Sequence, residues 1–253
     1  MKRNIFIKLV VTPAALLTIA CTQQPKEKQA LENKFTGKWV AQYFIDSLSL
    51  SNIQTIPYGF TEISIPPDIT KTVAIWNEDV DKDTMKATIS TDTLITRWEN
   101  KEVDKLIIRD NKLLVLPDNV KMQPVQYVRI DSALSKKAVG LQISVVRLLI
   151  NRLMAAHKYA IGKQITLAQF TEDGRLTEFE NFTHYYIPIA GDNANVENAT
   201  AFDILDATGK TLHLGMKMNK NTIEFYTLKL LTAPGEKPLY TTDKLWRTLK
   251  PTG

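Results

Sequence analysis

The chain has 253 residues, 44% of them apolar, and its 32 basic and 27 acidic side chains leave a formal net charge of +5. Three of those basic residues and no acid fall in residues 1–20, so the remainder carries 29 − 27 = +2. That balance, with no basic run interleaved with aromatics, excludes nucleic acid as an expected partner, and the apolar content excludes a disordered chain.

The first element is an export signal. Lys2, Arg3 and Lys8 form a positive start, and Leu9 to Ala20 form a short apolar run. Twelve helical residues rise about 18 Å, short of the roughly 30 Å of a bilayer core, so the run predicts a signal peptide and not an anchor helix. Leu17-Thr18-Ile19-Ala20-Cys21 resembles a lipobox, with Thr18 where Leu is usual. The resemblance implies cleavage before Cys21 and acylation of its sulfur and new amino group. Several fatty chains, palmitate among them, hold a protein firmly where one holds marginally. Cys21 is the single cysteine of the chain, so disulfides, thiolate metal sites and cysteine nucleophiles are not expected. Thr22 stands where some inner-membrane lipoproteins carry Asp, which favours the outer membrane. Residues 22–34 read as a polar tether.

From Gly37 the apolar period becomes two. Trp39, Ala41, Tyr43 and Ile45 alternate with Val40, Gln42, Phe44 and Asp46, which predicts a strand. Further strands are predicted near 58–65, 71–77, 84–90, 92–99, 103–109, 112–116 and 123–130, separated by turn residues such as Asp110-Asn111 and Pro117-Asp118-Asn119. Eight short strands with no helix between them predict an antiparallel meander, and eight suffice to close a small barrel. Residues 133–158 read as one helix, with Leu141, Val145, Leu148, Leu149, Leu153 and Met154 on its apolar side and Ser144, Arg147, Asn151 and Lys158 on one polar stripe. A second set of strands is predicted near 164–171, 175–182, 184–190, 200–206, 210–215, 221–231 and 244–249.

The expected fold is therefore mainly β: an antiparallel meander or lipocalin-like barrel, then an apolar helix, then a second antiparallel β region. The expected divisions are a signal peptide at 1–20, a lipidated tether at 21–34, a first β domain at 35–131, a connecting helix at 132–160 and a second β domain at 161–253. A faint internal echo links Gly37-Lys38-Trp39-Val40 to Gly162-Lys163-Gln164-Ile165, and residues 111–116 to 209–214.

Phe35-Thr36-Gly37-Lys38-Trp39 resembles the Gly-x-Trp opening of lipocalins and of lipocalin-like domains in Gram-negative lipoproteins, and Gln126-Tyr127-Val128-Arg129 resembles their last barrel strand. In that family the opening Trp packs at the closed barrel end against an Arg of the final strand. The resemblance implies that Trp39 and Arg129 play those parts, and that a small apolar or amphipathic ligand sits in the barrel. The candidate wall residues are Trp39, Tyr43, Ile63, Ile75, Ile89, Trp98 and Tyr127, each of which also suits a packed core.

No catalytic set stands out, so an enzyme is not expected. His157, His184 and His213 lack metal-ligand spacing, and no nucleophile elbow or phosphate loop occurs. Asp79, Asp81 and Asp83 match the first calcium-loop spacings, but Thr84 and Ser90 stand where Gly and Glu are required, so no metal and no cofactor are expected. Asp46-Ser47-Leu48, Asp83-Thr84-Met85, Asp92-Thr93-Leu94 and Asp131-Ser132-Ala133 resemble an O-glycosylation motif of exported proteins in some Gram-negative bacteria, which marks Ser47, Thr84, Thr93 and Ser132; such pairs also serve as turns and caps. The expected function is a tethered small-ligand carrier, with a non-catalytic subunit of an envelope or surface complex as the alternative.

Overall fold

Strand β1 (Gly37–Ala41) starts where the period-two pattern starts, but it stops five residues on. Trp39, Val40 and Ala41 are all buried, because one face of β1 turns into the barrel and the other is covered by the rest of the chain. Gln42–Ser47 then form helix α1, held by Gln42 Nε2 donating to Asp46 Oδ1 at 2.7 Å and Ser47 Oγ donating to the Tyr43 carbonyl at 2.8 Å. The strand predicted through residue 46 is thus corrected. Alternation of aromatic and polar residues over so few positions does not distinguish a strand from one helical turn and a half. The computed structural model describes residues 30, 32–51, 53, 61–69, 73–77, 82–98, 101–116, 123–162, 167–189 and 195–252; the side chains of 73–77, 82, 83 and 98 fall outside that description.

The meander follows as β2 (Glu62–Ile65), β3 (Val73–Asn77), β4 (Lys82–Ser90), β5 (Thr93–Trp98), β6 (Lys101–Arg109), β7 (Lys112–Leu116) and β8 (Val125–Arg129). Each strand pairs with the next, and β8 returns to β1, so the eight strands close into a barrel. Closure leaves no edge strand to pair with another molecule. The β6–β7 hairpin turns on Asp110 (φ 51°) and Asn111 (φ 60°), the two positive-φ positions that such a tight hairpin requires and that Asp and Asn tolerate.

The single helix expected at 133–158 is two helices, α2 (Ser132–Leu141) and α3 (Val145–Ala155), bent 88° apart. Gln142 adopts a left-handed conformation (φ 58°), and Ser144 Oγ caps α3 by accepting from Arg147 N at 2.9 Å. Ser144 carries the signal of this break, a cap rather than one member of a polar stripe. Among the described residues no single helix is long and apolar enough to cross a membrane.

The second region comprises β9 (Lys158–Ile161), β10 (Leu167–Phe170), β11 (Leu176–Thr177), β12 (Phe182–Tyr186), β13 (Val196–Glu197), β14 (Thr200–Asp206), β15 (Thr211–Asn219), β16 (Thr222–Leu230) and β17 (Tyr240–Thr252). The order is β11-β10-β9-β17-β16-β15-β14-β12, with β13 alongside β17. The two ends meet through an Arg175–His184 bridge and the Tyr185 N–H, which donates to the Gly174 carbonyl at 2.9 Å. Gly174 has φ +81°, and a Cβ there would stand 3.4 Å from the Tyr185 carbonyl oxygen, so glycine suits this approach. The second sheet therefore curls almost into a barrel of its own. Helix α3 buries Val145, Val146, Leu148, Ile150 and Met154 in a core continuous with both sheets. The sequence echo maps to β7 and β15, each the second strand of a hairpin, while residues 163–166 lie outside the described chain.

Candidate functional site

At one end of the barrel, Trp39 pairs with Ile63 on one side and Arg129 on the other. The Arg129 guanidinium lies 4.6 Å from the centre of the Trp39 ring and donates to the Lys34 carbonyl. Trp39 Nε1 donates to the Phe35 carbonyl at 2.8 Å, so the helical turn at residues 32–35 plugs this end, with Phe35 fully buried. Gly37 (φ +136°) lets β1 leave the plug directly beneath the Arg129 side chain.

Inside, Ile63 and Tyr127 are fully buried together with Leu94, Leu106 and Leu113, so this end is filled by side chains. Ile89 is half-buried on β4. One expected wall residue is corrected. Tyr43 sits on α1, 48% exposed, because the strand ends before it. Ile75, on β3, pairs with Ser64 and Thr84, with its side chain outside the described part. Trp98 closes β5, with its side chain outside the described part. Cys21, Asp79 and Asp81 also lie outside the described residues.

Where the regions meet, Glu62 is 1% exposed. Its Oε1 accepts from Lys38 Nζ at 2.9 Å and its Oε2 from the Val146 N–H at 3.1 Å. A carboxylate at a helix start satisfies a free N–H and meets the positive end of the helix dipole. Nothing in the local pattern around Glu62 marked this joint. Further along α3, Arg147 is buried, lies 3.8 Å from the Tyr186 ring centre and donates to the Ile187 carbonyl at 2.9 Å. Burial holds this guanidinium down at about 10. Asn151 reaches the Glu172 carbonyl at 2.8 Å, and Tyr185 donates to the Thr171 carbonyl at 2.8 Å. Burial pushes the Tyr159 phenol up to about 12 and raises that of Tyr185 as well.

A cavity of about 480 Å³ opens beside this joint, between the β1–β2 connection and the second sheet. Ile53, Ile189, Val196, Met216 and Met218 supply apolar surface. Ser51, Asn198, Thr200 and Lys217 add polar groups, and among the described residues the lining holds one cation and no carboxylate. Asn198, at φ 59°, reverses the chain from β13 into β14, and the pairing of Met216 with Thr200 fixes β15 against it. These residues come from three distant stretches, so periodicity could not have assembled them.

Among the described residues no group of three or more His, Cys, Asp or Glu could hold a metal. His213 Nδ1 meets Asp203 Oδ1 at 2.8 Å, and His184 bonds the neighbouring Thr183 hydroxyl. Thr84 and Ser132 are exposed; Ser47 and Thr93 are partly so, and Asp131 caps α2 by accepting from Leu134 N at 2.8 Å. Compared with family models, with curated proteins and with solved structures, the chain matches none.

Proposed function

We propose that the chain is a lipoprotein of the outer membrane, anchored through Cys21, that carries a small apolar or amphipathic molecule without catalysing a reaction on it. The cavity of about 480 Å³ at the joint carries this reading. It lies within the roughly 300–1,000 Å³ usual for ligand pockets, and its apolar walls with a few polar groups match such pockets. The side chains filling the plugged barrel end move the seat away from the interior suggested by the lipocalin resemblance. Labelled palmitate should enter the wild type and not Cys21→Ser, and the wild type should fractionate with membranes. Protein purified gently from those membranes should release a bound molecule into an organic extract. An unlabelled cytosolic protein, or an empty extract, contradicts the anchor or the carrier role respectively. Ser47, Thr84, Thr93 and Ser132 are the proposed glycan acceptors, and an intact mass with no hexose-type additions counts against them.

A second reading, an accessory subunit of an envelope complex, is favoured by one observation. Leu230, Leu231, Leu239 and Leu245 are exposed along the β16–β17 hairpin. Replacing Leu230 and Leu245 by Ser should release a protein partner under that reading and leave ligand content unchanged under the first.

A further inference from the structure

We infer that Met216 and Met218 form an oxidation-sensitive wall of the joint cavity, whose conversion to sulfoxides by a peroxide releases the apolar ligand. This rests on the carrier function proposed above and adds regulation to the same cavity. Both methionines line it. On β15 they stand two residues apart, so their side chains share one face of the strand. Cross-strand partners share that face too: Met216 lies opposite Thr200 and the buried Phe225, and Met218 opposite the buried Ile223. Lys217, between them, points to the other face. There its Nζ donates to Thr242 Oγ1 at 3.1 Å and lies 5.2 Å from the Tyr226 ring centre, with Glu224 as its charged neighbour across the register. The side chains that this face of β15 offers the cavity are therefore two thioethers.

Any aliphatic side chain would supply apolar surface beside Ile189 and Val196, but only methionine brings a sulfur lone pair that an oxidant can use. The lone pair attacks one oxygen of hydrogen peroxide. The O–O bond breaks, the S–O bond forms, and the leaving hydroxide takes the proton of the transferred oxygen and departs as water. Sulfur gives up two electrons and the peroxide takes them. Access follows the cavity: Ser51 and Asn198 of its lining are exposed, Met218 is half-buried, and Met216, 1% exposed, is reached from inside. Met85 on β4 and Met154 on α3 are buried in the core apart from that lining, so they serve as internal references. A sulfoxide oxygen is a strong acceptor, and burying it against apolar groups is costly unless a donor reaches it. The Thr200 hydroxyl and the Asn198 amide are donors in the same lining, so the oxidised wall favours water over a hydrocarbon body.

The test uses the mature chain, residues 21–253, carrying Cys21→Ser so that no detergent is needed and no thiol competes for the oxidant. The neutral fluorescent probe phenylnaphthylamine is titrated before and after hydrogen peroxide, and peptide mass spectrometry locates each added oxygen. Met218 and then Met216 should be oxidised before Met85 and Met154, and probe affinity should fall about tenfold. Bound probe should slow the oxidation of both, and a thiol-dependent sulfoxide reductase should restore binding. The double variant Met216→Leu/Met218→Leu, a volume-conserving change, should bind the probe and stay within about twofold after the same treatment. Ser51→Trp, at an exposed loop position that the fold tolerates, should block the mouth, weaken the probe and slow the oxidation of Met216. If both sulfoxides form and affinity is unchanged, if Met85 and Met154 react first, or if the double variant loses binding equally, the oxidation inference falls and the carrier function stands. If the untreated chain binds no probe, or Ser51→Trp leaves its affinity unchanged, both fall together.

Discussion

The two β regions use similar alternating strands and solve the burial problem differently. The first closes main chain to main chain, β8 on β1, and fills its plugged end with Trp39, Ile63, Tyr127 and leucines. The second draws its ends together with one bridge and packs an aromatic cluster, in which Phe202 lies 4.6 Å from Phe225 and Tyr185 stacks on Phe202 at 6.0 Å. Its wall is completed by a loop from the other region, and that shared border holds both Glu62 and the cavity. A closed meander is self-sufficient. A sheet that borrows part of its boundary leaves space at the seam, and the space is what a ligand can use.

Substitutions can separate the two designs. The largest effect is expected for Trp39→Ala, which opens a hole in the plugged end and removes the Arg129 stack. It should lower stability by about 3–5 kcal/mol in chemical denaturation. A loss under about 1 kcal/mol would show that this end is not tightly filled. Next comes Glu62→Ala, which strands Lys38 and the Val146 N–H at the joint. A loss of about 2–3 kcal/mol is expected, with a smaller one for Glu62→Gln, and the single unfolding transition should split as the regions uncouple. An unsplit transition in the alanine variant would mean that the shared apolar core, not this carboxylate, joins the regions.

Arg129→Ala should cost about 1 kcal/mol, because a partly exposed cation over an indole is worth less than the ring beneath it. A loss as large as that of Trp39→Ala would make the arginine the main prop of the plug. The smallest effect is expected at Glu172, in the loop where the second sheet meets α2 and α3. Burial would raise this carboxyl, but contacts with Lys137 and Arg152 outweigh it and hold the group below its ordinary 4.5. Its native pKa lies under its unfolded value, so its contribution is present above about pH 4.5 and fades as pH falls through the native value. Glu172→Gln should therefore cost under about 1 kcal/mol at pH 7, since its partners are well exposed, and still less at pH 3. An equal cost at both pH values would assign the effect to packing.

Much of the barrel was legible. The strand predicted at 112–116 is β7, because its alternation is clean and its turn residues carry positive φ. Trp39 and Arg129 could be paired because each sits in a short recognisable string. Helix α1 was not legible, since two or three alternating residues fit either period. The bend before α3 hid in Ser144, whose capping role looks like helix polarity until the chain turns there. β9 was absorbed into the helix preceding it, since Lys158 continued the polar spacing of Ser144, Arg147 and Asn151 by chance. The cavity had no local signal at all: Ser51, Asn198 and Lys217 become neighbours only after the second sheet has curled.

The most direct test is native mass spectrometry of wild-type and Ser51→Trp protein extracted gently from membranes. The expected wild-type spectrum shows a chain beginning at an acylated Cys21 with one additional small molecule, and the expected variant spectrum shows the same chain without it. A chain beginning at Met1, or a bound molecule retained equally by both proteins, would contradict a tethered carrier whose ligand sits at the joint.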